Sequence, residues 1–177
     1  MNDKYQNIRI IDKIAMFIIG IINNAPYVIG IASADRIVAR YNEPSYLGII
    51  LWADTFSGLF SRFLNSFFVS KNVPYEVNFV ANLIMLLVGL LLCAFVNVFW
   101  VTCIGVFLIG FSSNLGESVM LCYMTNRHKQ GMLKSWSSGT GMAGIAGAGY
   151  SFLCASIDIP SKESFLYVTP VPVVYAL

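Results

Sequence analysis

The chain has 177 residues, of which 57% are hydrophobic and only 11% charged, and its mean hydropathy is +0.71. An ordinary soluble domain carries roughly 25% charged residues, so a water-soluble globular fold is excluded; a net charge of +2, with no basic run interleaved by aromatics, excludes a nucleic-acid binder. At roughly 20 residues per crossing plus short loops, the length accommodates about six transmembrane helices, which predicts an all-α polytopic membrane protein forming one domain over residues 1–177.

The first apolar stretch covers residues 14–34. It ends in Ala32-Ser33-Ala34, a sequence compatible with signal-peptidase cleavage, but the stretch is longer than the roughly 7 to 15 apolar residues of a signal peptide, so a retained helix is expected. Gly20, Asn23, Asn24, Tyr27 and Ile31 recur at helical spacing and place two amides and a phenol on one face. The second stretch, residues 46–69, carries a longer polar stripe of Asp54, Ser57, Gly58, Ser61, Arg62 and Asn65. The third, residues 76–96, is almost wholly apolar.

In the fourth stretch, residues 99–124, Asn114, Glu117, Ser118 and Leu121 share a face. Basic residues follow around His128, which is expected to be a solvated loop residue. The fifth stretch, residues 135–156, is built from small side chains. Gly139, Ala143 and Gly147 form a ridge on which a neighbouring backbone can pack closely, and Gly141, Gly144 and Gly149 lie on adjoining faces. The sixth, residues 164–177, falls short of the roughly 20 residues a crossing needs, so the chain reads as cut off inside its last span.

Loop charge sets orientation. Lys4, Arg9, Lys13, Lys71, Arg127, Lys129 and Lys134 fall on one side and Arg36, Arg40 and Lys162 on the other, which predicts a cytoplasmic N-terminus. The four cysteines lie in apolar stretches without CxxC spacing, and His128 has no second histidine to join it. They read as small buried hydrophobes, with no metal and no cofactor expected. There is no HExxH, GxSxG or paired-aspartate protease motif, so no catalytic residues and no enzyme activity are expected.

An ionised side chain at the centre of a membrane helix costs about 2.5 to 3.5 kcal/mol on insertion scales, so such groups normally face a partner or a water-filled cavity. Three polar stripes on neighbouring helices imply one shared cavity. Asn23, Asn24, Tyr27, Asp54, Arg62, Asn114 and Glu117 are therefore the candidate substrate-binding or proton-coupling residues, with Arg62 and Glu117 a possible pair. Each has a structural alternative: helix–helix bonding for the asparagines, snorkelling to the headgroups for Arg62.

The segments GIINNAPYVIGIASAD, LWAD, SSNLGES and SWSSGTGMAGIAGAGY, collinear over almost the whole chain, resemble those of the battenin family, the Batten-disease membrane proteins. The resemblance implies a major-facilitator-like fold in a lysosomal, vacuolar or endosomal membrane, of which this chain would be the N-terminal half. The inverted repeats of that fold would set Asn23 and Asn24 opposite Asn114 and Glu117. The loop after the second span, SKNVPYE, lacks the glycine, Asp-Arg pair and arginines that many major facilitators carry there. The Asp35-Arg36 pair lies after the first span, on the other side, and is read as coincidence.

The function this implies is a secondary transporter of small polar solutes by alternating access, linked to lumenal pH homeostasis and to basic amino-acid or glycerophosphodiester export. Its partners would be the lipid bilayer, the solute, protons, and a C-terminal half or second protomer. The alternative is a non-transporting membrane protein that acts in trafficking or autophagy through its partners.

Overall fold

A computed structural model describes residues 9–126 and 130–175. Lys4, Arg127, His128 and Lys129 lie outside the described residues. The described chain is helical from end to end, in the order α1 (Ile10–Ala32), α2 (Ala34–Arg40), a 3-10 turn (Pro44–Tyr46), α3 (Leu47–Ser70), α4 (Tyr75–Phe95), α5 (Phe99–Asn126), α6 (Gln130–Ser156), α7 (Ser161–Val168) and α8 (Val171–Tyr175).

One local device ends three of these helices. Asn42, Asn72 and Asp158 take left-handed φ values of 55°, 52° and 56°, and the next amide reaches back five residues: Glu43 to the Val38 carbonyl (3.0 Å), Val73 to Phe68 (3.0 Å) and Ile159 to Cys154 (2.9 Å). This is the Schellman arrangement, in which a residue tolerant of left-handed backbone satisfies carbonyls the helix end leaves free. A proline follows each time, as Asn42-Glu43-Pro44, Asn72-Val73-Pro74 and Asp158-Ile159-Pro160. It opens the next helical segment, where the missing N–H has no cost.

Four helical segments among the described residues are long and apolar enough to cross a membrane: Ile10–Ala32, Pro44–Ser70, Tyr75–Phe95 and Phe99–Thr125. With 27 residues α6 has the length for a fifth, but its glycines, serines and lysine dilute its hydropathy. The single sixth stretch expected from the sequence is instead two short helices. Pro170 lacks the N–H that would continue α7, so the chain turns at Thr169 and restarts as α8. The α2 helix between the first two spans was also not expected.

Helix α5 is the hub, packed against α3, α4 and α1, while α6 lies along α1. Close backbone approach makes that last contact. A methyl group added at Gly20 would stand 2.7 Å from the Trp136 carbonyl, and one at Gly139 would collide with the Phe17 carbonyl. The expected ridge of Gly139, Ala143 and Gly147 is thus the α6 face that meets α1. Among the described residues Gly141 and Gly144 meet nothing within 4 Å, because they lie on the outward side of the same helix. Large apolar side chains such as Phe63 (77% exposed) and Ile145 (70%) also point outward, as lipid-facing residues do.

Chain direction fixes the faces. The turn after α3 lies on the face where α1 begins; α2, the α4–α5 turn and the α6–α7 turn share the opposite one.

Candidate functional site

The polar interior has two parts. In the first, Asn23 (2% exposed) donates from Nδ2 to the Ser113 carbonyl at 2.9 Å and accepts at Oδ1 from Asn82 Nδ2 at 3.3 Å. Asn24 donates to Thr140 Oγ1 at 3.2 Å and accepts from Ser113 Oγ at 3.0 Å. Asn82 accepts from Ser112 Oγ at 2.6 Å. Buried amides and hydroxyls from α1, α4, α5 and α6 thereby satisfy one another. Gly116 makes room for them: a Cβ there would overlap Asn23 Oδ1 and stand 2.6 Å from Asn82 Nδ2.

The second part centres on Asp54, about two turns into α3. It is 0% exposed, and neither carboxylate oxygen has a hydrogen-bond partner. Glycines of two neighbouring helices face it. A methyl group at Gly110 of α5 would stand 2.5 Å from Oδ1, and one at Gly30 of α1 would stand 3.9 Å from Oδ2. Ser57 spends its hydroxyl on the Asp54 carbonyl. Tyr27 lies within electrostatic reach of both Asp54 and Glu117. Asn114 donates to the Gly110 carbonyl at 2.8 Å, and its Oδ1 would stand 3.0 Å from a methyl group at Gly58 of α3. Tyr27, Asn114 and Glu117 are half-buried, in contrast to the enclosed carboxylate.

One expectation needs correction, and two details of the interior were not readable from the stripes. Arg62 is exposed and makes no ion pair with Glu117; among the described residues the one ion pair joins Arg9 and Asp12 at 3.3 Å. The reason is rotational: Arg62 lies about 80° around the helix from Asp54, on the edge of the stripe, where snorkelling replaces pairing. Asn23 and Asn24 do not bond Asn114 or Glu117; their partner on α5 is Ser113, on the buried face beside Ser112 and Gly116. Asn82 belongs to the site and was missed, although Asn78 and Asn82, one turn apart in an otherwise apolar helix, are a readable signal.

No group of three or more His, Cys, Asp or Glu among the described residues could hold a metal ion. The cysteines are unpaired, with Cys93, Cys103 and Cys154 buried.

A family model described as "CLN3 protein" matches residues 14–177. The chain is 32% identical to "Battenin" of Dictyostelium discoideum over 93% of its own length and 39% of that protein's. It is 34% identical to "Protein BTN1" of Saccharomyces cerevisiae over 88% of its length and 37% of the yeast protein's, and 28% identical to "Protein BTN1" of Yarrowia lipolytica over 91% and 40%. The chain therefore spans about two fifths of the length of the curated relatives it matches. No solved structure matches it.

Proposed function

Because this chain belongs to the CLN3, or battenin, family, we propose that it forms the substrate-handling part of a secondary transporter in a lysosomal or vacuolar membrane. The N-terminus faces the cytoplasm, and this helical unit is half of a major-facilitator-like fold completed by a C-terminal half or a second protomer. Alternating access moves a small cationic solute, a basic amino acid, with protons as the coupled ion, and so contributes to lumenal pH homeostasis.

The observation that carries this reading is Asp54, sealed among α1, α3 and α5 with two unpartnered oxygens. An ionised carboxylate without a partner costs several kcal/mol in such surroundings, and a proton or the cation of a solute supplies what the protein withholds. The choice of a cationic solute rests on charge placement. Every described Lys and Arg is exposed or lies on the face opposite the N-terminus, so the interior offers carboxylates and no cation for a phosphodiester. The fully bonded asparagines serve as helix glue, and Tyr27, Asn114 and Glu117 as the route to Asp54.

The test is radiolabelled lysine and arginine uptake into proteoliposomes containing the chain, with an imposed pH gradient and an internal pH dye. Asp54→Asn is expected to abolish solute-coupled proton movement and Glu117→Gln to slow it about tenfold or more. Flux indifferent to both substitutions together would remove the coupling role.

A further inference from the structure

A second polar concavity lies apart from the carboxylates, on the face opposite the N-terminus, where α2, the α4–α5 turn and the α6–α7 turn meet. Its volume is about 570 Å³, and Arg36, Arg40, Asn97, Asp158, Ser161 and Lys162 are among its lining residues. That size falls within the roughly 300 to 1,000 Å³ of small-molecule sites. Three cations face one carboxylate.

The cations are not equivalent. Arg40 is committed to the fold: Nη1 donates to the Cys93 carbonyl at 3.0 Å, and Nη2 to the Val96 carbonyl at 2.7 Å and to Asn97 Oδ1 at 2.6 Å. It closes the C-terminal end of α4, where free carbonyls favour a cation. Arg36 spends Nη2 on the Ile159 carbonyl, which holds its guanidinium against the turn before α7, and its buried Nη1 has no partner. Lys162 is exposed. Ser161, 5% exposed, opens α7, and its buried Oγ also has no partner. Ser161 and Lys162 further contribute the first amides of α7, which have no acceptor within the helix.

The residues lining this concavity carry an unspent guanidinium N–H and an unspent hydroxyl, both buried, an exposed ammonium and free helix amides, and together these are the donor types of a phosphate site. We infer that this pocket binds the phosphoryl group of a phosphate ester, and that Arg36, Ser161 and Lys162 hold it. Asp158, exposed at the same pocket and in no ion pair among the described residues, opposes a second phosphoryl group, so the ligand carries one. Two sources share this chemistry: the headgroup of an anionic phospholipid in the adjoining leaflet, or a soluble phosphate monoester. The site does not depend on the transport reading, since none of its residues touches Asp54.

The experiment uses the whole chain in nanodiscs. In one arm the discs are phosphatidylcholine and the probe is glycerol 3-phosphate, followed by phosphorus NMR line broadening. In the other the discs contain phosphatidic acid, and native mass spectrometry counts the molecules retained. Saturable broadening identifies a soluble ester; retained phosphatidic acid without broadening identifies a headgroup. In either case Ser161→Ala and Lys162→Gln are each expected to weaken binding about tenfold, while Lys71→Gln, on the N-terminal face, leaves it unchanged. Arg36→Ala should abolish binding; because Arg36 also bonds the Ile159 carbonyl, the two milder variants decide the matter if it fails to fold. Binding in neither arm, or binding that Ser161→Ala and Lys162→Gln leave intact, overturns the inference.

Discussion

Two polar regions share this helix cluster, and they are solved in opposite ways. Around Asn23, Asn24 and Asn82, the buried amides and hydroxyls of four helices answer one another across the interfaces. Around Asp54 nothing answers: both oxygens are enclosed, and the neighbouring Ser57 hydroxyl is turned to the backbone. Polar residues inside apolar helices are read alike from sequence, yet the first set pays for itself in helix–helix bonds while the second leaves a demand unmet. A demand kept unmet in the interior is where a ligand or proton has something to gain. The contrast separates scaffold from site more sharply than polarity alone.

The largest effect should come from breaking the satisfied region. Gly116→Ala places a methyl group onto Asn23 Oδ1 and close to Asn82 Nδ2. These are side chains, but each is held by further bonds, to Ser113 and to Ser112, so neither can retreat without stranding a buried polar atom. The expected cost is about 3 kcal/mol or more, read as a lowered unfolding midpoint in detergent micelles by far-UV circular dichroism. A midpoint equal to that of the unaltered chain would mean that the network is looser than the geometry describes.

A smaller and more discriminating effect comes from one substitution in each region. Asn82→Ala removes the bonds to Asn23 and Ser112 and should cost about 1 to 2 kcal/mol. Asp54→Asn removes no hydrogen bond and relieves a buried carboxylate, so stability should hold or rise by up to about 1 kcal/mol. Equal losses for the two variants would collapse the comparison, because Asp54 would then have a partner in the folded chain.

Much of this arrangement was legible in the sequence, and the failures have physical causes. Long apolar runs placed α1, α3, α4 and α5 within a few residues, because membrane helices need length and hydropathy more than subtle cues. The break at Thr169 was written in Pro170 and was passed over, as was the thrice-repeated Asn/Asp-x-Pro that ends α2, α3 and α6. Asp54 and the two asparagines were found from helical stripes. The partners of the asparagines were not, since a stripe fixes a face of one helix but not its rotation against the next; a step of one residue, from Asn114 to Ser113, changes half-buried for buried. Arg36 and Arg40 were read only as loop charges because they bond backbone carbonyls of Ile159, Cys93 and Val96, and a carbonyl leaves no trace in a sequence.

The smallest expected effect tests the boundary of the cluster. Gly139 and Gly141 are two residues apart on α6, yet only Gly139 has a backbone against it; around Gly141 there is open space. Gly141→Ala adds a methyl group that meets nothing, and alanine is the better helix former, a gain muted in lipid because the helix persists when tertiary contacts are lost. The unfolding midpoint should move by no more than about 0.5 kcal/mol in equivalent stability. Measured in native membranes rather than in detergent, the same substitution reads what lies against α6 there. A neutral result leaves Gly141 facing lipid, whereas a loss seen only in membranes puts a second helix on this face, close enough that it needs a glycine opposite.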